Sequence, residues 1–103
     1  MPFMARVAPT PVRIDFPGHE IVTAGLDDLA AGQQTEAALL VAMAAPRLRR
    51  LGLDVPPSPV AVPGHRLYDL LAADGRGSAH SRYNALIGRV VSYARAAEHA
   101  SAR

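Results

Sequence analysis

The side chains able to do chemistry are densest between residues 75 and 95, in GRGSAHSRYNALIGRVVSYAR. Nucleophilic catalysis would need a serine, a base and an orienting carboxylate within reach of one another. Ser78 and His80 are two apart, which on a helix points them about 160° from each other. No glycine elbow surrounds any serine. Ser78 reads instead as a helix N-cap, and no catalytic residue is expected.

Metal chemistry finds no better footing. The histidines are His19, His65, His80 and His99, none three or four residues from another, and the chain has no cysteine. Helix-borne His pairs and thiolate ligand sets are therefore absent. His19 and Glu20 are neighbours, and the strand expected there would point them to opposite faces. Asp27 and Asp28 are also neighbours, and adjacent helical residues do not face each other. No metal and no cofactor is expected.

Anion binding is the chemistry that the stretch suits best. Gly75-Arg76-Gly77-Ser78 opens a helix, where unpaired N–H groups and a partial positive charge favour anions, and Arg76 and Arg82 can add to both. The glycine spacing and the missing lysine exclude a P-loop. From Arg76 onward five arginines stand against Glu98 alone, a local net charge of +4. Arg82 and Arg89 share one face of the helix, while Arg95 lies well round it. Asn84 is the one amide able to read a base edge. Aromatic residues make up 5% with no tryptophan, which argues against a stacking platform for single strands. The candidate anion- or partner-binding residues are Arg76, His80, Arg82, Tyr83, Asn84 and Arg89.

All the basic residues are arginine, which suits phosphate recognition. The same abundance of Ala, Arg, Gly and Pro is what GC-rich codons give in a bacterial-type protein.

The element that positions these residues is a helix from Ala79 to about His99. Ala79, Tyr83, Leu86, Ile87, Val90, Ala94 and Ala97 share one arc of it. Arg82, Leu86, Arg89 and Tyr93 form one flank, and His80, Asn84, Val91 and Glu98 the other. Before it, His65–Asp74 places Leu67, Leu70 and Leu71 at helical spacing. Leu53–Pro63, with its repeated prolines and valines, reads as an extended connector.

The core of the chain is Ala37–Ala45, nine residues with no polar side chain. It is too short to span a bilayer, which takes about 20, and apolar all round, so it should be a buried central helix. Pro46 either kinks that helix or begins a separate turn to Leu51, closed by Gly52. Upstream, Val12, Ile14 and Phe16 alternate with Arg13 and Asp15, Pro17-Gly18 suits a type II turn, and His19–Thr23 reads as a returning strand. Thr23 would then cap a short helix, Leu26–Ala31, stopped by Gly32.

The expected fold is mainly α, a small bundle of three to four helices with a short N-terminal β-hairpin. Residues 1–11 form a flexible arm, 12–99 a single domain and 100–103 a frayed tail. Two longer helices and a hairpin are few neighbours for a helix apolar on every side, so a homodimer is expected. The missing cysteine, signal region and membrane span point to a cytoplasmic protein with no membrane partner. The leading reading is a small non-enzymatic interaction or assembly module with an unknown protein partner. A nucleic-acid-binding regulator using the basic helix is the alternative. An anionic-ligand binder or enzyme at the start of that helix is the third.

Overall fold

A computed structural model describes residues 10–75 and 77–102, and it is helical: α1 (His19–Ala30), α2 (Glu36–Arg50), α3 (Pro63–Ala73) and α4 (Ala79–Ser101). The apolar run occupies α2, and α2 packs against each of the other three helices. Ala38, Leu39, Leu40, Val41, Ala45 and Leu48 are buried there, with Val22 and Leu29 of α1, Leu67 and Leu71 of α3, and Val90, Tyr93 and Ala94 of α4. Those residues are the core of the bundle.

The expected hairpin is not formed, and no strand occurs among the described residues. His19–Thr23 is the beginning of α1, which starts well before the expected Leu26, and Thr23 is an exposed residue inside the helix rather than its cap. The physical reason lies in the partner. A two-stranded hairpin is marginal alone, whereas Ile21, Val22, Gly25 and Leu29 form one helical face that is buried in the bundle. Gly25 brings α1 onto the main chain of α2: a Cβ there would fall on the Ala37 carbonyl and Val41 Cγ2. Gly18 adopts a positive φ of 77°, as a turn glycine should, but serves as the N-cap position of α1. Val12–Phe16 folds into a turn in which the Phe16 N–H donates to the Arg13 carbonyl at 3.2 Å. Phe16 then packs edge-on against Tyr93 at 5.7 Å. The Tyr93 hydroxyl accepts from the Arg13 N–H at 3.0 Å.

Thr35 caps α2, accepting from the Ala38 N–H at 3.1 Å and donating to Asp28 of α1 at 2.5 Å. The helix continues through Pro46 to Arg50, so the separate turn is not formed. Pro46 has no N–H to give the Ala42 carbonyl, and it stands at the exposed edge of the helix. The C-terminus closes in a Schellman arrangement: Gly52 N–H donates to Arg49 and Leu53 N–H to Leu48, with Leu48 and Leu53 both buried.

The connector after it is irregular, held down by buried Val55 and by the Arg49 guanidinium, which donates to the Val55 carbonyl at 2.8 Å. Pro63 occupies the first turn of α3. Ser78 caps α4 as its type predicts, accepting from the Ser81 N–H at 3.2 Å. Of the expected N-terminal arm only Thr10 and Pro11 are among the described residues. Thr10 donates its N–H to the Gly52 carbonyl at 2.9 Å. Among the described residues no helix is long and apolar enough to cross a membrane.

Because residues 19–30 form a helix, α2 has three helical neighbours in one chain. The uncovered central helix that motivated a homodimer is thus largely covered from within.

Candidate functional site

One part of α2 stays open. Leu40, Met43, Ala44 and Arg47 follow helical spacing on one face, as do Ile87, Val90 and Val91 on α4, and between them lies a groove of about 300 Å3. Pro46 and Arg50 complete its lining. The two helices run in the same direction. Arg82 near the start of α4 stands 3.8 Å from Glu36 at the start of α2, and Arg47 near the end of α2 pairs with Glu98 near the end of α4.

The start of α3 sits at one end of this groove. A Cβ on Gly64 would lie 3.1 Å from the Tyr83 hydroxyl and 3.4 Å from the Met43 methyl. Tyr68 and Tyr83 meet edge to face at 5.5 Å. From there α3 packs against both α2 and α4, with Leu67 and Leu71 fully buried. The connector preceding α3 lies over a different face of α2, along Ala42, Ala45 and Arg49. Neither segment covers Ala44, Ile87 and Val91, which are half-buried.

The other end is cationic. Arg47 donates to both carboxylate oxygens of Glu98, at 2.5 and 2.7 Å. These hydrogen bonds hold the Glu98 carboxyl below its ordinary range, and the charges of Arg47, Arg50 and Arg95 lower it further. Three guanidiniums around one carboxylate leave that end with a net charge of +2. None of the groove-lining residues is acidic.

The candidate residues read from the sequence do not converge. Arg76 lies outside the described residues. Arg82 is held by both carboxylate oxygens of Asp74, at 2.6 and 2.7 Å, which raise its guanidinium pKa, with Glu36 adding to the pull. Arg89 faces Glu20 of α1 at 3.9 Å. His80 and Asn84 are exposed and bond to each other at 3.1 Å. Tyr83 is packed between Tyr68 and Gly64 at the α3 end of the groove. Of the five that are described, Tyr83 alone adjoins the groove. Ser78 Oγ is engaged by the Ser81 N–H rather than by a histidine. Among the described residues no three His, Cys, Asp or Glu side chains gather where they could hold a metal ion.

The residues that sequence reasoning passed over are Met43, Ala44, Arg47, Arg50 and Val91. One local trace existed: Val91 is an aliphatic side chain on the otherwise polar flank His80, Asn84, Glu98.

No protein-family model, curated protein or solved structure matches the chain. The groove presents aliphatic surface and fixed positive charge, with no nucleophile or acid–base pair among its lining residues.

Proposed function

We propose that this chain is a small non-enzymatic interaction module that receives a segment of another protein in the α2–α4 groove. The observation that carries the reading is the aliphatic groove left between α2 and α4. Half-buried Met43, Ala44, Ile87 and Val91 over buried Leu40 and Val90 give it a concave aliphatic lining that a partner's side chains can fill. Met43 suits it, because an unbranched thioether repacks against varied partners.

Self-association is the other occupant to weigh. Setting the groove of one copy against that of a second would oppose two concavities and two sets of arginines, so the same patch is poorly complementary to itself. A homodimer would need another face. The nucleic-acid reading loses its intended surface, since Arg82 and Arg89 are directed at carboxylates of other helices rather than forming an open stripe.

An apolar fluorescent dye tests the reading when followed by amide NMR shifts. Saturable binding is expected to shift the amides of Met43, Ala44, Ile87 and Val91. It should disappear in Val91→Arg while the thermal melt stays cooperative. Dye binding elsewhere, or none, would remove the groove as a recognition surface.

A further inference from the structure

We infer that the cavity between α2 and the connector, on a different face of α2 from the groove, is a binding site for a free aliphatic α-amino acid. Pro46 marks the place. Proline inside a helix removes a hydrogen bond and weakens the helix, yet Pro46 stands well inside α2. The Ala42 carbonyl thereby loses its i+4 donor. Both ends of that missing bond, Ala42 and Pro46, line a cavity of about 310 Å3 beneath the connector. Ala45, Pro56, Val60 and Pro63 add apolar wall, and Arg49 and Ser58 supply its polar side chains. Apolar walls with a few convergent polar groups are what small-molecule sites share.

Each polar group has hydrogen-bonding capacity left. Helical carbonyls project toward the C-terminus and long side chains lean back toward the N-terminus, so the Ala42 carbonyl and the Arg49 side chain are directed toward each other along one face of α2. The Arg49 guanidinium gives its Nε and Nη2 N–H groups to the Val55 carbonyl, at 3.3 and 2.8 Å. That bond holds it beside the cavity with its Nη1 donors still available, and among the described residues no carboxylate pairs with it. Ser58 Oγ accepts from the Val60 N–H at 3.2 Å and keeps its own O–H to donate.

These groups select the ligand. A carboxylate takes charge-assisted bonds from Arg49 and a further bond from Ser58. A carbonyl released from its helix carries the partial negative charge found at a helix C-terminus, and an ammonium is its best complement. A branched aliphatic side chain fills the walls of proline and valine. Ammonium, carboxylate and aliphatic group together are an α-amino acid such as valine. A simple carboxylic acid leaves the Ala42 carbonyl without a donor, and a peptide N-terminus leaves Arg49 without its carboxylate. Pro46 then exchanges helix stability for a ligand contact, as local rules are broken at functional sites.

The test titrates the folded chain with L-valine, with isovalerate, which lacks the ammonium, and with isobutylamine, which lacks the carboxylate. Amide NMR follows each. L-valine is expected to give saturable shifts at Ala45, Arg49, Val60 and Ala61, and to bind about tenfold more tightly than either fragment. Pro46→Ala supplies the missing N–H to the Ala42 carbonyl. It should melt at or above the parent, bind isovalerate like the parent, and lose the preference for L-valine over isovalerate. Arg49→Gln should reduce L-valine to the level of isobutylamine. Arg49 is exposed and glutamine keeps an N–H for the Val55 carbonyl, so this variant should stay folded.

Isovalerate binding as tightly as L-valine would remove the ammonium contact and overturn the proposal. An undiminished preference for L-valine in Pro46→Ala would do the same, because the released carbonyl would then play no part. Shifts confined to Met43, Ile87 and Val91 would place the ligand in the groove instead. No saturable shift with millimolar L-valine would overturn the site outright.

Discussion

Alanine at Gly25 should destabilise the bundle, while alanine at Gly88 should stabilise it, although both are helical glycines with the same intrinsic preference. At Gly25 the new Cβ would fall on the Ala37 carbonyl oxygen and Val41 Cγ2, and 2.9 Å from the Ala37 carbonyl carbon. Val41 can adjust its rotamer; the Ala37 main-chain carbonyl in the first turn of α2 cannot. The α1 helix must therefore lift off α2 along the line of Ile21, Val22 and Leu29. Overpacking costs about 1–3 kcal/mol, and a clash with main chain belongs at the upper end. Replacing a helical glycine returns about 1 kcal/mol, leaving a net loss of about 2 kcal/mol.

At Gly88 nothing lies within 4 Å of the added Cβ. There only the propensity gain remains, about 0.5–1 kcal/mol. For a domain of this size each kcal/mol moves the midpoint by about 4–8 °C, so the two variants should differ by well over ten degrees. Thermal and urea melts followed by far-UV circular dichroism measure both. If Gly25→Ala matched or exceeded the parent, α1 would not lie on α2 at this point, and the helical reading of residues 19–30 would lose its packing basis.

Thr35→Ala removes both the α2 cap and the tie to Asp28, and should cost about 1–2 kcal/mol in urea melts, with Thr35→Ser recovering most of it. Tyr93→Phe leaves the Arg13 N–H without its acceptor and should lower stability by about 1 kcal/mol. The Glu98 carboxyl is held below its ordinary range by Arg47, so the unfolded chain binds this proton more readily than the folded one. Its stabilisation is present above the ordinary carboxylate pKa of about 4.3 and is lost as pH falls through the lower folded value. Melts from pH 6 to pH 3 should show a shallower acid decline in Glu98→Gln than in the parent, and the difference should shrink in high salt.

The ends of the helices were written locally. Ser78 ahead of an amphipathic run marks the start of α4, and Gly32 and Gly52 mark the ends of α1 and α2, because capping needs only a side chain or a positive φ within a few residues of the helix end. The burial of Leu39–Val41 was equally legible, since a run with no polar side chain has no face suited to water. The structure of His19–Thr23 was not. His-Glu-Ile-Val-Thr is short enough to satisfy either period, and what decided it was the face of α2 that Ile21, Val22 and Gly25 meet. The groove was beyond local reading for the same reason. It exists because α3 begins at Pro63, beside Met43 and Tyr83, and its cationic end joins Arg47 to Glu98 across 51 residues. Residue type and spacing determine which side chains share a helix face. What that face meets is set by packing between elements distant in sequence, which here directed Arg82 and Arg89 at carboxylates and left Met43, Ala44 and Val91 at the surface.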